Sequence, residues 1–243
     1  MSTTARKRKK YAPSLVPSHS SQEARHKTFS VLQNPNDKDD IQRHVDDIEE
    51  QVKNGFDLLA PENITEDPAC DPENPVYVDQ VAIWDAYSLM KRVGADIQRT
   101  PCTRSRLSEE FGCEIYFKKD FMQVTGSFKE RGARYFCEKL ATDKRKLGVV
   151  TASAGNHAQA LARHGKITGT AVTVVMPEQA PLVKVDSCRK LGARVVLHGN
   201  SFAAAKALAQ MLAKNSGAVY VNGYDHPHIL AGQGSIGMQE FIN

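Results

Sequence analysis

Gly148-Val149-Val150-Thr151, Ala171-Val172-Thr173-Val174-Val175-Met176, Arg194-Val195-Val196-Leu197 and Ala218-Val219-Tyr220-Val221 are four short apolar runs that start roughly 22 to 24 residues apart. They are rich in β-branched residues, and polar alternation is absent. Buried parallel strands read this way because helices cover both faces of their sheet. Helix-like segments lie between the runs, and strand–helix alternation at this period marks βαβ units. The sequence therefore predicts an α/β fold of parallel sheets covered by helices, with a compact four-stranded unit over residues 148 to about 222.

Upstream of these runs the pattern differs. Ala82, Ala86, Leu89, Met90 and Val93 share one helical face, and Gly94 follows as a stop. Glu114 to Lys118 alternates around Ile115 and Phe117, as a short strand does. Residues 1 to about 75 are rich in Ser, Pro, Asn, Asp and Lys and predict a poorly folded extension, bounded by Pro68, Pro72 and Pro75. Within it, Ile41, Val45, Ile48 and Val52 fall three or four apart before Asn54-Gly55, which reads as a transient helix in a tail. Arg6 to Lys10 form a basic run, and no acid precedes Glu23. Such a run suits a nuclear signal, part of an organelle-targeting segment or a solvated tail.

Most of the net charge of +4 comes from that run. The remainder is near neutral, so composition gives no reason to expect a nucleic-acid-binding domain. No apolar stretch approaches the ~18 residues of a membrane span, and no apolar h-region follows the basic N-terminus. Cys70, Cys102, Cys113, Cys137 and Cys188 are odd in number and contain no CxxC pair. A disulfide scaffold or zinc knuckle is not expected, and a reducing, cytoplasmic setting is.

Ligands of parallel sheets bind beyond the carboxyl ends of the strands. There the chain reads Thr151-Ala152-Ser153-Ala154-Gly155-Asn156-His157. Small residues let backbone approach a ligand, and the free N–H groups of the helix that follows favour a carboxylate or phosphate. The same stretch also suits an ordinary tight turn. A second segment is Thr125-Gly126-Ser127-Phe128-Lys129-Glu130-Arg131-Gly132-Ala133. Ser127 and Glu130 have capping-box spacing, which places Lys129 in a first helical turn. The positive end of the helix and burial beside Phe128 would both lower the amine's pKa and make it a better nucleophile toward an aldehyde. A surface lysine that tolerates its place is the other reading of these residues.

Asp120 followed after four residues by Thr125-Gly126-Ser127-Phe128-Lys129 resembles the pyridoxal-phosphate attachment signature of serine/threonine dehydratases. Thr151 to Ala160 is similar to the asparagine loop of the same family, and Ala231-Gly232-Gln233-Gly234-Ser235-Ile236-Gly237 to its next familiar segment. Order and spacing of all three agree from about residue 80 onward. The resemblance implies a tryptophan-synthase-β-like fold and pyridoxal 5′-phosphate held by Lys129 as a Schiff base. It implies deamination of L-threonine to 2-oxobutanoate and ammonia, and action on L-serine. Lys129 would be the general base, Phe128 would pack beside the cofactor, and Asn156 would bond its 3′-oxygen. Ser153, Ala154, Gly155, Asn156 and His157 would cradle the substrate carboxylate, with His157 alternatively structural. Serine racemases of this fold carry a second serine where Ala154 stands. Alanine has no transferable proton, so the resemblance favours a dehydratase. The match through Ala133 favours it over a cysteine or threonine synthase.

The resemblance further implies domains at 1–77 (a disordered N-terminal extension), 78–147 (part of a large cofactor domain), 148–225 (a small α/β domain) and 226–243 (the start of a return into the large domain). The family's glycine-rich phosphate loop would fall after Asn243. The expectation is therefore a truncated or alternative product with the larger domain incomplete and impaired activity, in which residues 78 to 140 lack packing partners. A non-catalytic fragment that binds or competes with a full-length dehydratase is the alternative. The complete protein is expected to be a homo-oligomer that binds neither nucleic acid nor membrane.

Overall fold

The structure, a computed structural model, describes residues 38–60, 70 and 75–241. The basic run at Arg6–Lys10 lies outside the described residues. Helix α1 spans Lys38–Lys53 and α2 spans Gln80–Val93. Asp79 caps α2, its carboxylate accepting from Ala82 N at 2.9 Å, and Gly94 ends it. Strand β1 (Cys102–Arg104), helix α3 (Leu107–Phe111) and strand β2 (Tyr116–Lys118) form a small antiparallel ribbon, with Thr103 opposite Phe117. Strand β2 is shorter than the Glu114–Lys118 alternation predicts. Helices α4 (Lys129–Lys139) and α5 (Thr142–Leu147) lead into the four predicted runs. These become β3 (Val149–Ala152), α6 (Asn156–Thr168), β4 (Val172–Met176), α7 (Leu182–Lys190), β5 (Arg194–Leu197), α8 (Phe202–Ser216) and β6 (Val219–Tyr220). Helix α9 (Pro227–Phe241) completes the described chain.

All four strands pair in parallel in the order β5-β4-β3-β6, with Val149 beside both Val172 and Val219. The chain runs outward from β3 through β4 to β5, then crosses back to place β6 on the other side of β3. That reversal makes the carboxyl ends of β3 and β6 the switch point of the sheet, the place where ligands of open parallel sheets bind in a crevice. Successive strand residues face opposite sides. Val149, Val174 and Met176 pack with Ala158 and Leu161 of α6, Val185 and Cys188 of α7 and Phe136 of α4. Val150, Val175 and Val196 pack with Leu208 and Leu212 of α8.

Val45 and Ile48 of α1, together with Leu58, belong to this second core. The expected disorder of the N-terminal extension therefore does not hold over residues 38–60. The three-and-four spacing was sufficient for an amphipathic helix. Asp46, Asp47 and Glu50 are exposed, and with Asp40 and Glu49 they make the average composition polar, which concealed an apolar stripe with a partner on α8.

The expected lack of partners for residues 78–140 fails for α2 and α4, whereas between them Phe111, Tyr116, Phe117, Phe121 and Val124 remain exposed. Helix α9 packs across α2 and α4, where Ala86 and Leu89, Tyr135 and Ala231 form a third core. The approach is close enough to require glycine. A Cβ on Gly232 would sit 2.5 Å from Gly132 Cα, and one on Gly132 would sit 2.8 Å from the Ile229 carbonyl.

Ile48 is fully buried. Ile48→Ala is expected to destabilise the protein by about 2–5 kcal/mol in urea unfolding, the cost of removing a buried aliphatic side chain. A change within about 0.5 kcal/mol, the range of surface substitutions, would show that α1 does not dock.

Candidate active site

Helix α4 begins between two anchors. Glu130 is fully buried, and its Oε1 accepts from Thr125 N at 2.7 Å. Its Oε2 accepts from Arg163 Nη1 and His164 Nε2, both on α6 and both at 2.7 Å. Burial pushes the Glu130 carboxyl up, but the His164 bond, the Thr125 N–H and Arg163 together hold it below the usual carboxylate range. Arg131 is buried too, and turns elsewhere. Its Nε donates to Asp120 Oδ2 at 2.6 Å and its Nη2 to Asp120 Oδ1 and Gln239 Oε1, both at 2.9 Å. Thr100 Oγ1 adds a bond of 2.5 Å to Asp120. Burial would raise the Asp120 carboxyl, and the Arg131 and Thr100 bonds outweigh it.

The predicted capping box is not formed. Ser127 Oγ accepts from Lys129 N at 3.0 Å, two residues on, and no side chain caps the helix at Phe128. Glu130 is drawn to α6 because a buried carboxylate gains more from Arg163 and His164 than from the N–H of Ser127. The helix start predicted from this spacing nevertheless stands at Lys129.

Lys129 projects from this doubly anchored turn. Its Nζ donates to the carbonyl of Gly223, which follows β6, so the amine sits at the crevice where the strand order reverses. Its Nζ lies 5.2 Å from the centroid of the Phe128 ring, which is 41% exposed. Partial burial lowers the Lys129 pKa.

The predicted carboxylate turn lies at the end of β3. Ser153 Oγ accepts from Gly155 N at 3.3 Å, and Ala154 packs against the core. Gly155 faces open space, and Asn156 is exposed at the first position of α6. His157 is buried behind Gly223. Burial, and then the charge of Lys129, push its pKa down to about 3, with the Val221 backbone pulling the other way. Neither of its ring nitrogens completes a hydrogen bond among the described residues. Lys129 and His157 thus meet at Gly223. Ser153, Ala154, Gly155 and Asn156 stand on the turn that opens α6.

Three participants escaped the sequence reading. Gly223 and Asn222 had a weak signal, an Asn-Gly pair directly after the fourth strand run. The pairing of Glu130 with Arg163 and His164 had none, because Glu130 lies more than thirty residues before them.

Residues 93–240 match the family described as "Pyridoxal-phosphate dependent enzyme". The chain belongs to this family. Across 158 residues it is 46% identical to an L-threonine ammonia-lyase of Thermotoga maritima, covering 65% of this chain and 39% of that enzyme. Among solved structures it is similar to the processed form of threonine deaminase isoform 2 from Solanum lycopersicum, with a TM-score of 0.60 and 33% identity over 69% of this chain and 50% of that one. It is also similar to serine racemase from Dictyostelium discoideum, with a TM-score of 0.63 and 32% identity over 68% of this chain and 53% of that one. The chain thus spans about half or less of the length of these relatives.

The residues at the crevice fit an aldehyde cofactor of this family. A primary amine with a lowered pKa stands beside an aromatic face, next to a turn of small residues at which Gly155 faces open space. Among the described residues no group of His, Cys, Asp or Glu is placed to hold a metal ion, and no helix is long and apolar enough to cross a membrane.

The two anchor carboxylates set an acid limit. Both have folded-state pKa values held below their ordinary range, so their contribution is complete above that range and is lost as pH falls through the folded values. Thermal stability should fall steeply below pH ~4. Asp120→Asn should flatten that decline and lower stability at neutral pH by about 3–5 kcal/mol, since Arg131 is left buried without its counter-charge. A melting temperature unchanged at pH 7 would contradict this account.

Proposed function

We propose that this chain carries the lysine-bearing half of a pyridoxal-phosphate-dependent L-threonine/L-serine ammonia-lyase, which converts L-threonine to 2-oxobutanoate and ammonia. The observation that carries the reading is the Lys129 amine, partly desolvated and brought to the crevice at the ends of β3 and β6. Similarity to the Thermotoga L-threonine ammonia-lyase supports the reaction class.

In this reading Lys129 binds pyridoxal 5′-phosphate and later takes the α-proton of the substrate at its Nζ. The bound cofactor supplies an electron sink for the carbon that loses this proton. Phe128 and Asn156 would help to hold the cofactor, Phe128 by packing beside it and Asn156 by donating to its 3′-oxygen. The turn from Ser153 to His157 receives the substrate carboxylate, where the free N–H groups of α6 and its positive end favour an anion. His157 stays neutral behind this turn and so adds no second positive charge beside Lys129.

Ala154 favours elimination over racemisation. A racemase needs a proton donor on each face of the substrate carbon, and a methyl side chain supplies none. Cytoplasmic residence and assembly as a homo-oligomer belong to the same reading. The alternative is a non-catalytic fragment that binds or competes with a full-length dehydratase, and it predicts no lysine-bound cofactor.

Incubation with pyridoxal 5′-phosphate followed by borohydride should fix the cofactor on the peptide containing Lys129, and Lys129→Ala should abolish the label. Absorbance near 410–420 nm, expected on the order of that seen for a lysine-bound cofactor, should vanish with it. Label on another lysine would overturn the assignment. L-serine turned over by the loaded protein should leave no D-serine, and its appearance would refute the role given to Ala154.

A further inference from the structure

The loop from β6 to α9 is organised by one buried side chain. Asn222 Oδ1 accepts from three successive backbone N–H groups, those of Tyr224 at 3.1 Å, Asp225 at 2.9 Å and His226 at 3.3 Å. Its Nδ2 donates to Cys70 Sγ at 3.2 Å. The side chain therefore gathers the amides of the loop on one side and fixes the course of the backbone through Gly223.

Gly223 is held from the opposite side by His157. A Cβ at position 223 would lie 2.4 Å from the His157 ring, so only glycine allows this approach. Between Asn222 and His157 the Gly223 peptide has little freedom, and its carbonyl meets Lys129 Nζ. An ammonium group has three donors and no acceptor, and a fixed carbonyl oxygen stabilises it more than it does the neutral amine.

We propose that the Gly223 carbonyl, held in place by Asn222, is the acceptor that receives the Lys129 side chain in its protonated form, which makes Asn222 a positioning residue for Lys129. The proposal rests on the reading of Lys129 as the reactive amine. It gives that amine a defined place whenever it is not bonded to the cofactor, so that it neither drifts into solvent nor occupies the substrate space.

The groups around the amine leave this role to the carbonyl. His157 on α6 is neutral, and His226 behind it has its pKa pushed down to about 3 by burial, with further contributions from His228 and His157. Glu130 and Arg131, on the amine's own helix, are engaged with Arg163 and His164 and with Asp120. Asp225 and Tyr224 on the loop are exposed.

The test is the pH dependence of reductive methylation of Lys129 by formaldehyde and cyanoborohydride, read by mass spectrometry on the peptide that contains it. This probe needs no pyridoxal phosphate, so it is independent of the cofactor-trapping experiment. A hydrogen bond to a charged group changes the governed equilibrium by about tenfold. Asn222→Ala should therefore move the Lys129 midpoint to lower pH and raise its methylation rate at neutral pH by about tenfold, with the surface lysines unchanged. Asn222→Asp keeps the acceptor for the three amides and should not lower the midpoint. Asn222→Ser, with a shorter acceptor, should lower it by less than alanine does, and it decides the matter if the alanine variant does not fold. A midpoint unchanged in a folded alanine or serine variant, or lowered equally by aspartate, would overturn the proposal. Cofactor found on another lysine together with a shifted Lys129 midpoint would overturn only the functional reading.

Discussion

Two neighbouring side chains of opposite charge, Glu130 and Arg131, are both withdrawn from water, and neither is paired with the other. Each ion would cost several kcal/mol to bury alone. That cost is offset only because Glu130 is met by α6 and Arg131 by Asp120 and α9. The first turn of α4 is consequently fixed from two directions. Lys129 precedes this pair, and its amine is met by one backbone acceptor, the Gly223 carbonyl. A fixed base with a single reversible contact at the tip is what the role proposed for this amine requires.

The same arrangement explains how three distant stretches converge. Asp120 lies before α4, Arg163 and His164 lie on α6, and Gln239 lies on α9. None has a reason to be buried except through its partner. Removing any one leaves a charge or a polar group unsatisfied in a low-dielectric interior, so the network favours a single arrangement of these elements over near alternatives.

Much of this architecture was legible in the sequence, for a physical reason. Strands covered on both faces have little room for charged residues, so the fully buried Val149–Ala152 and Val172–Met176 stand out as runs rich in β-branched residues, while the edge strand Arg194–Leu197 is only half-buried. Lys129 and the Ser153–His157 turn were singled out by the family resemblance, since locally the same residues also suit a surface lysine and an ordinary tight turn; the structure sets Lys129 and His157 on either side of Gly223, and their roles are proposals. Helix α1 was misread because a stripe of Val45 and Ile48 among many acids gives a polar average, and its value depends on α8, about 150 residues away. The role of Gly223 was equally hidden. Its need for glycine comes from the His157 ring and not from any local turn. The capping-box spacing of Ser127 and Glu130 marked the correct helix start for the wrong reason, since tertiary partners outcompeted the local bond.

The crossing of α9 over α2 and α4 also constrains the order in which the protein can mature on the ribosome. The apolar faces of α2 and α4 have emerged by Lys139, yet Ala231 and the Gly232 crossing follow only after about a hundred further residues of synthesis. At translation rates of about 5–20 residues per second, those faces remain uncovered for on the order of ten seconds. During that interval the parallel sheet is also unfinished, because β6 must be made before β3 acquires its second neighbour. The nascent chain therefore passes through that interval with the apolar faces of α2 and α4 and one edge of β3 both open, so its completion depends on the last elements made.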